Sequence, residues 1–154
     1  METNTEKIAH RLNALLEKNS DAERGFEKAA ELASAQSIIE WFSDRAIERG
    51  KFKQELKEEI HSFGYPAVQT SSLTGDMHRA WMDLKATFSG DNDEAMLQEA
   101  LRGEKASLDE YNEAIAETTV PPTTLDILKN HRSTIEQGLE VLRALEGIEF
   151  QKED

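Results

Sequence analysis

The sequence contains no cysteine among its 154 residues, and it has only three prolines and eight glycines. Without cysteine, the chain can form no disulfide, no zinc–thiolate site and no iron–sulfur cluster, and it has no thiol nucleophile. Because proline and glycine are the residues that interrupt helices, their scarcity leaves long segments in which a helix can continue. No segment alternates polar and apolar residues convincingly, so the sequence predicts an all-α protein without strands.

Long hydrophobic runs and an excess of positive charge are also absent. No apolar stretch approaches the roughly 20 residues of a membrane span, and the first residues lack the basic and then apolar run of a signal peptide. The net charge of −13 argues against a general nucleic-acid binder, which needs lysine and arginine to neutralise phosphates. We therefore expect a cytoplasmic protein that binds neither membranes nor nucleic acids.

Apolar residues recur at steps of three and four, which predicts four long helices, over residues 4–33, 37–63, 92–117 and 123–145. Gly64 suits the position just after a helix, and Pro66 also stops the second one. The spacing favours near-antiparallel packing at about 20°.

A shorter helix is predicted over residues 73–88, in the connection between the second and third long helices. Its apolar stripe contains Met77, Trp81, Leu84 and Phe88. The sequence thus predicts a single domain over residues 1–154, with an ordered core over about residues 6–146. Its architecture would be an antiparallel four-helix bundle with one inserted helix.

A carboxylate interrupts the apolar stripe of the third long helix. Glu104 stands in the middle of a series formed by Leu97, Leu101, Leu108, Tyr111 and Ile115. All six side chains should share one helix face, turned toward the core. Taking an unpaired carboxylate out of water costs several kcal/mol, so Glu104 must be paired, metal-bound or protonated.

Every long helix carries such a polar interruption near its middle, and the helix middles lie at one height in an antiparallel bundle. The residues are Asn19 on the first helix, Arg45, Glu48 and Arg49 on the second, Glu104 on the third and His131 on the fourth. One interpretation is a buried polar layer in which Glu104 pairs with Arg45, Arg49 or Lys51 and fixes the register of the helices. The other interpretation is a metal site in the bundle core.

The metal interpretation has an incomplete set of ligands. Ferritin-like di-iron bundles use a Glu from each of two helices and a Glu-x-x-His motif from each of the other two. Here Lys51 stands where the second helix would need the histidine, and His131 has neither Glu before it nor His after it. Glu48, Glu104 and His131 remain, which suffice for one iron or manganese ion. A literal Glu-x-x-His, Glu58 to His61, points off the apolar stripe and is expected on the solvated surface.

Several segments resemble a bacterial family of ferritin-like four-helix-bundle proteins that is known as a domain of unknown function. The segments are Leu12-Asn13-Ala14-Leu15-Leu16, Asn19-Ser20-Asp21, Gly25-Phe26, the stretch from His78 to Lys85, Arg102-Gly103-Glu104 and Tyr111. The resemblance extends over roughly residues 6–145. It implies a ferritin-like bundle and leaves the activity open.

The chain also looks like a remote relative of rubrerythrin-type bundles. In those proteins a Gly-Glu pair, with Tyr seven residues after the Glu, carries an iron ligand on the third helix, and Glu104 and Tyr111 match this pattern. Glu48 matches the glutamate of the second helix's motif, whereas Asn19, Lys51 and the fourth helix depart from it. The resemblance therefore implies iron as the cofactor of the relatives and a changed centre in this chain.

These observations lead to three functional hypotheses. The first is a non-enzymatic, structural, stress-related or interaction protein whose di-metal centre has been replaced by a buried polar network. The second is a metalloprotein with a single iron or manganese ion on Glu48, Glu104 and His131 and weak oxidase or peroxidase activity. The third is an adaptor that uses the Trp81 helix as its contact surface, which is also the natural contact for a homodimer.

Overall fold

The structure is a computed structural model that describes residues 3–69, 93–117 and 119–152, with side chains described through residue 145. Four helices make up the described part of the chain: α1 (Asn4–Leu32), α2 (Gln36–Ser62), α3 (Asp93–Ile115) and α4 (Pro122–Lys152). These residues contain no strand. The prediction of an all-α four-helix bundle is confirmed, and α4 continues beyond the predicted end at residue 145. The predicted inserted helix, with Trp81, lies outside the described residues.

Contacts between the helices define the direction of each one. Arg11 of α1 lies near Glu117, and Lys18 lies near Glu110, so α1 and α3 run antiparallel. Trp41 of α2 donates to the carbonyl of Gly138 in α4, while contacts of the later part of α2 fall on the beginning of α4. Each helix packs against two antiparallel neighbours, and α2 and α3 lie diagonally opposite with the same direction. The order is therefore up, down, down, up.

Local hydrogen bonds fix where the helices begin and end. Thr3 Oγ1 accepts from the Glu6 N–H at 3.1 Å, which caps the start of α1. After α2, Gly64 adopts a φ of 82°, the Gly64 N–H bonds to His61 O, and the Tyr65 N–H bonds to Ile60 O. This pair of bonds is a Schellman motif, which satisfies the last carbonyls of the helix and requires a left-handed residue. The predicted role of Gly64 is thereby confirmed.

Apolar side chains form two buried clusters along the bundle. One contains Phe26, Ile38, Trp41, Phe42, Met96, Leu97, Leu139 and Leu142, and the other contains Leu12, Leu16, Phe52, Leu56, Ile60, Tyr111, Leu128 and Ile135. Asn19, Arg49 and Glu104 are buried at chain positions between the two clusters, and His131 is buried within the second. The apolar clusters thus enclose a polar layer at the middle of the bundle. None of the helices in the described residues has the length and apolar character needed to cross a membrane.

Candidate functional site

An ion pair crosses the centre of the bundle. Arg49 Nη2 of α2 donates to Glu104 Oε1 of α3, and each side chain is only 1% exposed. Because α2 and α3 are diagonal partners, the pair connects two helices whose backbones do not pack directly against each other. Of the three basic residues considered as partners for Glu104, the structure places Arg49 against it.

Aromatic rings surround the Arg49 guanidinium. Its Cζ lies 5.5 Å from the ring centre of Phe26 and 5.6 Å from that of Phe52. A guanidinium is attracted to the negative face of an aromatic ring, and this attraction is larger where water is excluded. The two rings therefore offset part of the free energy that is lost when Arg49 leaves water.

A second ion pair lies beside the first. Arg45 Nη2 donates to Glu48 Oε1 at 2.7 Å, and the Arg45 guanidinium lies 5.5 Å from the ring centre of Trp41. These side chains are half-buried, at 12% and 24% exposed. Together the two pairs bring two positive and two negative side chains to one level of the bundle.

Four polar atoms of these two ion pairs are buried and have no hydrogen-bond partner. They are the donors Arg45 Nε and Arg49 Nη1 and the acceptors Glu48 Oε2 and Glu104 Oε2. A buried polar group without a partner costs about 1–3 kcal/mol, so most proteins retain very few of them. Their concentration in one layer marks this level as the polar centre of the described part of the chain.

A chain of hydrogen bonds runs from the bundle interior to its surface. Asn19 Nδ2 donates to Leu15 O at 2.8 Å and to the Tyr111 hydroxyl oxygen at 2.9 Å. The Glu55 carboxylate can only accept, so the neutral His131 carries its proton on Nε2 and donates to Glu55 Oε1 at 3.1 Å. His131 Nδ1 therefore accepts from the Tyr111 hydroxyl, 2.8 Å away. Glu55 is 51% exposed, so the chain ends in solvent.

Burial shifts the pKa of four side chains in this region. It raises the pKa of Glu104, against the opposing effect of the Arg49 charge and hydrogen bond. Burial likewise raises the pKa of Glu48, with Arg45 and Arg49 acting in the other direction. The pKa of the Tyr111 hydroxyl is also raised by burial. The pKa of His131 is lowered by burial, although its hydrogen bond to Glu55 favours the charged form.

The lowered pKa of His131 predicts that the free energy of unfolding depends on pH. Below about pH 6.5 the unfolded chain protonates this histidine, whereas the folded protein keeps it neutral. The His131 contribution to the free energy of unfolding should therefore be complete near pH 7.5 and should decrease as the pH falls toward about 5.5. Urea unfolding at both pH values measures the change.

His131→Gln isolates this contribution, because the amide can still accept from Tyr111 and donate to Glu55. We expect a smaller loss of stability on acidification in this variant than in the original protein. His61→Gln makes the same substitution at an exposed position on α2 and serves as the matched control. The raised pKa values of Glu48 and Glu104 increase the free energy of unfolding on acidification, which opposes the His131 contribution. The test is therefore the difference in pH dependence between His131→Gln and the original protein. An unchanged pH dependence in His131→Gln would contradict the assignment.

Two predictions for the exposure of side chains on α2 have different outcomes. Lys51 is exposed, so its predicted place in the buried layer is wrong. The reason is helical geometry, because Lys51 lies about 200° around the helix from Arg49 and therefore points to solvent. Glu58 and His61 are exposed, which confirms that this Glu-x-x-His lies on the solvated surface.

Each side chain considered as a metal ligand has a partner within the protein. Glu48 pairs with Arg45, Glu104 pairs with Arg49, and His131 Nδ1 bonds to Tyr111. Within residues 3–69, 93–117 and 119–145, no group of three His, Asp or Glu side chains has an arrangement that could hold a metal ion. A guanidinium on the central carboxylate supplies the positive charge that a metal would supply. The residues present therefore do not fit a di-iron group.

Glu55 is the one side chain of this hydrogen-bond chain that the sequence pattern does not indicate. It is an exposed residue beside the apolar stripe of α2 and resembles many other surface glutamates in this acidic chain. The available signal was His131, since a histidine on a buried stripe needs a polar partner for each ring nitrogen. Tyr111 was placed on the buried face of the third helix, and the structure gives its hydroxyl two partners.

Comparisons with known proteins give one family and one fold. Residues 7–117 match the family described as "Domain of unknown function (DUF2383)", whereas no curated protein matches the chain. A two-domain protein of Anabaena variabilis ATCC 29413, with DJ-1/ThiJ/PfpI-like and ferritin-like domains, has a similar structure, with a TM-score of 0.76 and 15% identity. That match covers 97% of this chain and 38% of the Anabaena protein.

A second solved structure shares the fold. It is the bacterioferritin-related protein of Bacteroides fragilis, described as a dodecameric thioferritin, with a TM-score of 0.75 and 19% identity. The match covers 97% of this chain and 90% of that one. At these identities the two structures establish a ferritin-like fold for this chain and no activity.

Proposed function

Because the chain belongs to the DUF2383 family and has a ferritin-like fold, we propose that it is a ferritin-like bundle whose metal centre has been replaced by an ion-pair network. In this proposal the protein is non-enzymatic and acts as a structural, stress-related or interaction protein. The buried layer fixes the relative positions of the four helices instead of performing chemistry.

The Arg49–Glu104 pair is the observation that carries this proposal. A glutamate at the centre of α3 is the residue that the relatives' pattern would use as a ligand, and here a fully buried guanidinium holds it. A positive charge at that position raises the free energy of any bound cation by Coulomb repulsion. The hydrogen bonds of His131 to Tyr111 and Glu55 likewise occupy both nitrogens of the one imidazole in the layer.

Metal content provides the test. Protein prepared without chelators should contain iron and manganese well below one ion per chain, and added ferrous iron should not be oxidised faster than in buffer. Near-stoichiometric iron or manganese that disappears in both Glu48→Gln and His131→Gln would overturn the proposal. Glu58→Gln, on the exposed face of α2, serves as the matched control for nonspecific binding to this acidic protein.

A single-ion metalloprotein is the second candidate, and one observation favours it. Glu48 Oε2 and Glu104 Oε2 are both buried without a hydrogen-bond partner, so two carboxylate oxygens in the layer have a free lone pair. In that case the ion would be iron or manganese, held with help from His131, and the protein would have weak oxidase or peroxidase activity. The same measurement of metal content distinguishes this candidate from the first.

Self-association and location stay predictions. The Bacteroides fragilis relative is dodecameric, and this similarity supports the proposal that the present chain also forms oligomers. A homodimer or an adaptor contact through Trp81 stays a prediction from the sequence, because that residue lies outside the described part of the chain. A cytoplasmic location is proposed from composition alone.

A further inference from the structure

Tyr111 is a buried phenol with a base in direct contact. Its side chain is 2% exposed, and its hydroxyl oxygen lies 2.8 Å from His131 Nδ1. The two rings meet edge to face with their centres 5.6 Å apart, and Phe52 stacks on the imidazole. A hydroxyl that served packing alone would need only a hydrogen-bond acceptor, whereas a neutral imidazole nitrogen can also take up its proton.

Few side chains in this protein give up an electron easily. The sequence has two tyrosines and two tryptophans, and it has no cysteine whose thiol would compete with them. Trp41 is also buried, but its indole N–H donates to the carbonyl oxygen of Gly138, which is too weak a base to take up a proton. Tyr111 differs from Trp41 because its partner is a base.

The position of His131 decides what happens to Tyr111 when an electron is removed. A phenol that loses an electron and keeps its proton becomes a cation, which is costly in the bundle core because water is excluded there. Transfer of the proton to His131 Nδ1 leaves a neutral phenoxyl radical and moves the charge to the imidazole. The Glu55 carboxylate, 3.1 Å from Nε2, favours that charge, whereas Arg49 opposes it.

A second proton transfer removes the charge from the core. His131 passes its Nε2 proton to Glu55, which is 51% exposed and releases a proton to solvent. His131 is then neutral again, with its proton on Nδ1, and donates to the phenoxyl oxygen, which also accepts from Asn19. In total Tyr111 has lost one electron and one proton, and every other side chain has its original charge.

We propose that Tyr111 is a one-electron redox site that reduces radicals of the peroxyl class. The peroxyl radical takes the electron from Tyr111 and a proton from solvent and becomes a hydroperoxide, while the Tyr111 proton leaves through His131 and Glu55. An electron can cross the side chains that cover the ring, whereas a second radical cannot reach it, so burial prevents coupling of the phenoxyl radical. This inference goes beyond the structural role proposed above and requires no metal.

Flash oxidation with the ruthenium(III) tris-bipyridine ion tests the site, with electron paramagnetic resonance as the readout. Tyr65→Phe leaves Tyr111 as the single tyrosine of the chain, and we expect this variant to form a tyrosyl radical. The g values of that radical should report hydrogen bonds to the phenoxyl oxygen. Tyr111→Phe removes only the hydroxyl and should lose this signal. Absence of a tyrosyl radical in Tyr65→Phe, or the same signal in Tyr111→Phe, would overturn the proposal.

His131→Gln tests the route of the proton. The amide oxygen of Gln can accept from the Tyr111 hydroxyl but is too weak a base to keep its proton, so the radical should form at least about tenfold more slowly than in the original protein. His61→Gln, at an exposed position on α2, is the matched control and should leave the rate unchanged. An equal rate in His131→Gln would show that the proton does not pass to His131, and the proposed route would be wrong.

Discussion

Replacing Arg49 with leucine should lower the free energy of unfolding by about 3–5 kcal/mol, the usual cost of leaving one charge of a buried pair without its partner. The substitution removes the donor to Glu104 and the positive charge that lies between Phe26 and Phe52. Chemical denaturation with urea at about pH 7.5 measures the loss, and helix content by circular dichroism shows whether the variant still folds.

The double variant Arg49→Leu/Glu104→Leu shows how much stability the ion pair as a whole contributes, because it removes both charges together. Because apolar residues of similar volume often replace a buried ion pair at no cost, this variant should recover most of the lost stability or exceed the original protein. If the double variant were as unstable as Arg49→Leu alone, the packing of the arginine and not its charge would be responsible.

The loss in Arg49→Leu should also depend on pH. Burial already raises the pKa of Glu104, and removal of the opposing Arg49 charge raises that pKa further. A carboxyl with a raised pKa favours the folded state below its unfolded pKa, and this contribution is lost as the pH rises through the folded pKa. The difference between Arg49→Leu and the original protein should therefore shrink on acidification.

Replacing Phe52 with alanine should lower the free energy of unfolding by about 3–5 kcal/mol, as expected for an aromatic side chain removed from a packed core. Phe52 is 5% exposed, stacks on the His131 ring at a centroid distance of 3.9 Å, and lies against the Arg49 guanidinium. Its loss removes apolar surface from beside both the His131 ring and the Arg49 guanidinium. Urea unfolding again supplies the measurement.

The same variant should raise the pKa of His131 toward the ordinary histidine value, because water that enters the vacated space weakens the effect of burial. An NMR titration of the His131 ring measures this change. Phe52→Leu is the control, since it keeps most of the apolar volume and should alter both the stability and the pKa of His131 much less. A pKa of His131 that stays equally low in Phe52→Ala would show that Phe52 does not exclude water from the ring.

The helices could be predicted from the sequence because long segments with a three-and-four spacing have few alternatives. The apolar steps around Glu104 correctly placed its face toward the core, and Gly64 correctly marked the end of α2. Asn19, Arg49 and Glu104 are buried at chain positions between the two apolar clusters, whereas His131 lies within the second cluster and Lys51 is exposed.

The pairings within the layer could not be predicted in the same way. Arg45 and Arg49 are one turn apart, and both can reach a central carboxylate, so periodicity alone does not choose between them. The choice depends on the diagonal placement of α2 and α3 and on the rings of Phe26 and Phe52, which are properties of the assembled bundle. Glu55 was missed for a related reason, because a half-exposed carboxylate acquires its role only from the histidine of another helix.

Asp93, the first residue of α3, has a consequence for the long connection that precedes it. Its two carboxylate oxygens accept the backbone N–H groups of Ser34 and Ala35 at 2.9 and 2.8 Å, so it joins the start of α3 directly to the turn between α1 and α2. These two hydrogen bonds therefore fix where α3 begins relative to the pair formed by α1 and α2, at the end of the long connection that follows α2. Since the free-energy cost of closing a loop grows only by about 0.6 kcal/mol for each doubling of its length, the segment between α2 and α3 can vary in length while the bundle keeps its alignment.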